Sequence, residues 1–128
     1  MRVRRTAGKL ATMLPLLGLA LLFEPISCRS DHVEMVVKNS TGEPVQLLEV
    51  DYPNASFGKD ALADGAEYRY RIQVEGAGAI KVSYATGNGA HTTEIAGPRL
   101  TEGEQGRLEI DLLPAGKAEF HAQVTQKP

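Results

Sequence analysis

One thiol and three imidazoles are the groups in this 128-residue chain best suited to covalent or metal chemistry. The thiol is that of Cys28, the sole cysteine, which can be acylated or can ligate a metal but cannot close an intrachain disulfide. Ile26-Ser27 precede it and Arg29-Ser30-Asp31-His32 follow, a setting too polar for a core cysteine. His32, His91 and His121 lie far apart in sequence, in no His-x-x-x-His or nucleophile-elbow pattern. A hydrolase needs a nucleophile beside a positioned base, and a metal needs converging ligands. The spacing supports no catalytic residue, metal ligand or cofactor. A sheet could still bring His91 and His121 together, so an enzyme or metal carrier stays open as a third reading. Glu102-Gly103-Glu104 lacks the alternating oxygen ligands of a calcium loop and reads as a solvated acidic loop. Asp51 and Asp60 flank a stretch with Tyr52, Asn54 and Phe57. Aromatic and amide groups of this kind line sugar or peptide sites; the plainer expectation is that Tyr52 and Phe57 cover the core and Asn54 makes a turn. Asn39-Ser40-Thr41 and Asn54-Ala55-Ser56 match a glycosylation acceptor, and both read more simply as turns.

The segment before Cys28 explains the position of the thiol. Arg2, Arg4, Arg5 and Lys9 form a basic head without acids, and Leu10 to Phe23 is an uncharged apolar run of 14 residues. Glu24-Pro25 ends it. A basic head, a short apolar stretch and a small residue before a cleavage point make the layout of an export signal over residues 1–27. A permanent transmembrane helix needs roughly 20 apolar residues. Arg4-Arg5 lacks the apolar pattern that a twin-arginine signal places just after the pair, and reads as an ordinary basic head.

Ile26-Ser27-Cys28 after an apolar stretch resembles the lipobox of bacterial lipoproteins. The resemblance implies that Cys28 receives a diacylglycerol thioether and becomes the mature N-terminus, holding the protein to a membrane of the cell envelope. Glu24 and Pro25 depart from the family's pattern, which has an apolar residue at the Pro25 position. Arg29 stands where some lipoproteins carry the Asp that retains them at the inner membrane, which points to the outer membrane where one exists. Two other fates stay open: cleavage after Ser30, giving a soluble periplasmic or secreted protein, and no cleavage at all.

Beyond residue 27 about 100 residues remain, enough for one domain with a modest core. Four of the 14 Lys and Arg and one of the 16 Asp and Glu lie in the signal segment, so the remainder carries a net charge of −5. Its acids are dispersed, and nucleic-acid binding, which wants clustered Lys and Arg, is not expected.

The elements that must position these groups are strands. Tyr68, Tyr70, Ile72 and Val74 alternate with Glu67, Arg69, Arg71 and Gln73, and period two puts the two sets on opposite faces. The same alternation recurs at Val33-Met35-Val37, Ile80-Val82-Tyr84, Leu108-Ile110-Leu112 and Phe120-Ala122-Val124. Pro44 to Tyr52 slips phase at Leu47-Leu48, which predicts a bulge or a strand covered on both faces. Gly-rich connections at 39–42, 76–78, 86–89 and 114–116 supply turns. No stretch after residue 31 has a helical period.

Leu62-Ala63-Asp64-Gly65, leading into the strand at Glu67, resembles the Leu-x-x-Gly turn of bacterial immunoglobulin-like and fibronectin-like modules. The resemblance implies that Leu62 plugs the end of a sandwich. With no Trp and no Cys pair, an antibody-type core is excluded. The expected fold is all-β: a small antiparallel immunoglobulin-like sandwich of seven or eight strands over 32–125, after a lipidated Cys28 and short stalk (28–31), with 126–128 as a tail. The expected role is a non-catalytic binding or structural module, membrane-attached through Cys28, meeting an envelope partner by its edge strands or loops. The alternative is a soluble inhibitor or ligand carrier.

Overall fold

The computed structural model describes residues 31–126; the signal segment, Cys28 and the last two residues of the tail lie outside them. Eight strands follow in order: β1 (His32–Asn39), β2 (Val45–Tyr52), β3 (Ala55–Leu62), β4 (Glu67–Gln73), β5 (Ala77–Thr86), β6 (His91–Thr101), β7 (Glu104–Leu113) and β8 (Lys117–Gln126). A single turn of 3-10 helix, Pro114–Gly116, joins the last two. The strands form two four-stranded sheets, ordered β4-β1-β7-β8 and β3-β2-β5-β6. This is the all-β sandwich that the alternating pattern predicts.

The apolar phases of the strands meet between the sheets. Val33, Met35 and Val37 of β1 are buried against Leu108, Ile110 and Leu112 of β7 on one side, and Val50, Ile80 and Val82 close the core from the other sheet. Leu62 is buried at one end of this core, in the position that the Leu-x-x-Gly turn implies. Burying each such side chain contributes about 1.5–3 kcal/mol, and with no described disulfide this packing holds the sheets together.

Every connection reverses the chain, so odd-numbered strands point one way and even-numbered strands the other. β1 and β7 are neighbours and both odd, and they pair in parallel, Val33 opposite Gly106 through Asn39 opposite Leu112. The five other strand pairings are antiparallel. The parallel pair is the one departure from an antiparallel sandwich, and it follows from bringing β7 back beside the first strand. The strand order is also not that of an antibody constant domain, whose first two strands share a sheet; here β1 and β2 lie in different sheets.

Three local features differ from the simple alternation. Leu47 has φ 52° and points outward, while β2 shifts register against β5 between Gln46 and Glu49, so the phase slip is a bulge. β3 is a strand that period-two reasoning does not reveal: its two inward residues, Phe57 and Leu62, are five apart and sit in opposite phases. In β4, Ile72 is buried but Tyr70 is 43% exposed, because that edge of the sandwich opens toward solvent. There Phe57 stacks on Tyr70 at 4.6 Å and contacts Tyr68 at 6.1 Å, an aromatic seam joining edges β3 and β4. The opposite seam is closed by Phe120 of β8, whose ring sits where a side chain on Gly97 of β6 would project, 2.6 Å from its Cβ position.

The reversals sort the loops into two ends. The lower end carries the start of β1 with the turns at 53–54, 74–76 and 102–103; the upper end carries the connections at 40–44, 63–66, 87–90 and 114–116.

Candidate functional site

The upper end is organised around Asn39, the one polar side chain fully buried among the described residues. Its amide nitrogen donates to the carbonyls of Glu43 at 2.8 Å and Leu62 at 3.0 Å. Its amide oxygen accepts from the Thr41 backbone N–H at 3.0 Å and from the Thr41 hydroxyl at 2.7 Å. The backbone of Asn39 exchanges bonds with Ala66 and Gly65, so the 40–44 loop and the 63–66 turn are tied together. A buried amide with both ends used is stable where an unpaired one would cost about 1–3 kcal/mol.

Beside this knot the 40–44 loop, the adjoining ends of β5 and β6 and the 114–116 turn line a polar cleft of about 350 Å³, within the usual size of small-ligand sites. Thr41 and Glu43 form one wall, and Thr86, His91 and Thr93 a second. Leu113 to Gly116 form the third, with Ala115 at φ 65° where the chain turns sharply. Tyr84, the last inward residue of β5, also lines the cleft. A Glu43 carboxylate oxygen accepts the backbone N–H of Gly87 at 3.3 Å, bracing two of the loops across the opening.

Tyr84 is the unusual member. It is 2% exposed, and its hydroxyl is buried without a hydrogen-bond partner. Burial pushes the phenol above its ordinary pKa; the nearby Thr93 hydroxyl acts in the other direction, although the pair falls short of hydrogen-bond geometry. The cleft therefore gathers hydroxyls, one carboxylate and one imidazole, with no Lys or Arg among its described lining residues.

The residues singled out from sequence fall as follows. Cys28 lies outside the described residues. His32 is at the lower end opposite Gln73, His91 is at the upper cleft, and His121 is on the outer face of the first sheet, 3.6 Å from Glu119. The histidines are thus dispersed, and no group of three or more His, Cys, Asp or Glu that could hold a metal occurs among the described residues. Glu102 and Glu104 accept the backbone N–H groups of Gly76 at 3.1 Å and Thr101 at 2.8 Å, so the acidic loop caps turns. Phe57 is in the core and Tyr52 packs on it at 6.3 Å, while burial and the neighbouring Tyr70 raise the Tyr52 pKa. Asn54 bridges to Gln73 and Glu75, clamping the end of β4 as a turn residue.

Glu43, Tyr84, Thr86 and Thr93 carry no sequence signal of a site. They come from separate segments, and Tyr84 reads as an ordinary core residue by its phase. The one hint available was a tyrosine at the end of an inward phase, whose hydroxyl needs a partner that the core cannot supply.

No family model matches this chain, and no curated protein matches it significantly. Among solved structures, an NMR structure of a protein from Eubacterium rectale is similar in fold, with a TM-score of 0.52 over 76% of this chain and 91% of that one, at 13% identity. The likeness is one of fold: a small all-β sandwich of two sheets.

Proposed function

We propose that this protein is an exported module of the bacterial cell envelope, anchored by lipid on Cys28, that binds a partner or ligand without catalysis. The observation that carries the reading is the opposition of the chain's entry point and the cleft. Cys28 precedes Asp31 by three residues, about 10 Å of extended chain at most. β1 begins at the lower end and runs its eight residues, about 26 Å, to the upper end where the cleft opens. In this reading the lipid-bearing segment joins the domain at the end opposite the cleft. Dispersed histidines and the acids engaged in capping turns favour recognition over chemistry.

Metabolic labelling with a radioactive fatty acid, followed by mass spectrometry of the mature N-terminus, tests the anchor. The expected result is a labelled protein that begins at a lipid-modified Cys28, partitions into detergent, and loses its label in Cys28→Ser. An unlabelled protein beginning at Asp31 replaces this reading with the soluble ligand carrier.

A further inference from the structure

We propose that the upper cleft binds a primary ammonium group, with Glu43 as its counter-charge and the hydroxyls of Tyr84 and Thr93 as acceptors. This deepens the binding half of the function proposed above and is independent of the lipid.

The charge of the cleft selects the class. Glu43 supplies a carboxylate, and the described lining offers no Lys or Arg to receive an anion. The Gly87 N–H holds one Glu43 oxygen at 3.3 Å, and the Asn39 amide fixes the Glu43 carbonyl at 2.8 Å, so the loop that carries the acid is set before any ligand arrives. Such preorganisation lowers the cost of binding.

The buried Tyr84 hydroxyl selects the hydrogen-bonding pattern. Its oxygen has lone pairs and no partner, a deficit that a donor entering the cleft would remove. An ammonium brings three donors and no acceptor, enough for Glu43, Tyr84 and Thr93 together. A neutral polyol could reach the same hydroxyls, but its bond to Glu43 lacks charge on the donor side, and charge-assisted bonds are about twice as strong. Leu113 and Pro114 add an apolar wall suited to the short alkyl stem of an amine.

A free alkylamine and a lysine side chain present the same group. The test is an amide chemical-shift titration of the full-chain, nitrogen-15-labelled protein, at about 0.15 M salt to screen diffuse attraction to its net negative surface. The probes are n-butylammonium, Nα-acetyl-lysinamide, butanol and butyrate. Saturable shifts are expected at Gly87, His91, Thr93 and Gly116 with an ammonium probe, and not with butanol or butyrate. Either ammonium arm supports the class, and the tighter one identifies the source. Glu43→Gln, which keeps an oxygen for Gly87, is expected to weaken binding by about tenfold, and Tyr84→Phe by several-fold with the fold intact. Three results overturn the proposal: no saturable shift at the cleft, equal binding of butanol, or undiminished binding by Glu43→Gln. Fatty-acid labelling succeeds or fails regardless, so failure here leaves the anchor standing.

Discussion

Replacing Asn39 with Ala removes both donors and the acceptor of an amide that spans three segments of chain. The Leu62 carbonyl and the Thr41 N–H lose the partner that Asn39 supplies, while the Glu43 carbonyl keeps the Thr41 hydroxyl. Leaving such groups unpaired in a partly buried site costs about 2–3 kcal/mol in all, and the expected outcome is a urea unfolding midpoint lowered accordingly with an unchanged slope. Asn39→Asp is expected to do no better, because a carboxylate would face two carbonyls. The role of Asn39 was only half legible. Asn39-Ser40-Thr41-Gly42 announces a turn, but nothing local shows that the first residue turns inward. That depends on the Leu62 carbonyl, 23 residues away. The same limit hides the cleft: Glu43, Tyr84 and Thr93 become neighbours through loop packing, which leaves no periodic trace.

At the scale of single strands, legibility follows from whether a strand has one wet face throughout. β7 does, and β1 and β5 do apart from the buried outer residues Val36 and Ala85, so their inward residues read directly from period two. The β2–β3 hairpin does not. Val45 lies opposite Leu62 and Val50 opposite Phe57, five residues apart on both strands, so the hairpin changes phase as a unit. On β2 the change shows as adjacent leucines; on β3 no second apolar residue marks it, and the strand is invisible. Gly58 is part of the device, since a side chain there would collide with the Leu48 carbonyl. The bulge holds Leu47 in the left-handed region, 68% exposed. A non-glycine residue there costs roughly 1–2 kcal/mol, partly offset by the greater chain entropy that glycine loses on folding. Leu47→Gly is therefore expected to raise stability by about 0.5 kcal/mol without changing the fold, read as a higher melting temperature in calorimetry.

Across the whole molecule, stability resides between the sheets and solubility on their outer faces. On the outside of the first sheet Glu34 bridges Arg69 at 3.5 Å and Arg107 at 3.6 Å, with Glu67 and Glu109 completing alternating charges. All are substantially exposed, and such pairs are each worth about 0–1 kcal/mol. Glu34→Gln is expected to shift the denaturant midpoint by less than about 1 kcal/mol equivalent, whereas Leu108→Ala, in the fully buried centre of β7, is expected to cost about 2–5 kcal/mol. Comparable losses for the two would show that the surface lattice carries the fold. Alternation tells which face β1, β5 and β7 bury, but not which strands lie beside them, because a period carries no address; the parallel pairing of β1 with β7 is set by the path of the entire chain. That pairing has a mechanical consequence. β1 is clamped by hydrogen bonds on both flanks, to β4 and to β7. A pull on Asp31 along the strand, resisted at the far end of the sandwich, loads both ladders in shear. The bonds then yield together instead of unzipping one at a time, so a strand loaded in this way is among the hardest to extract.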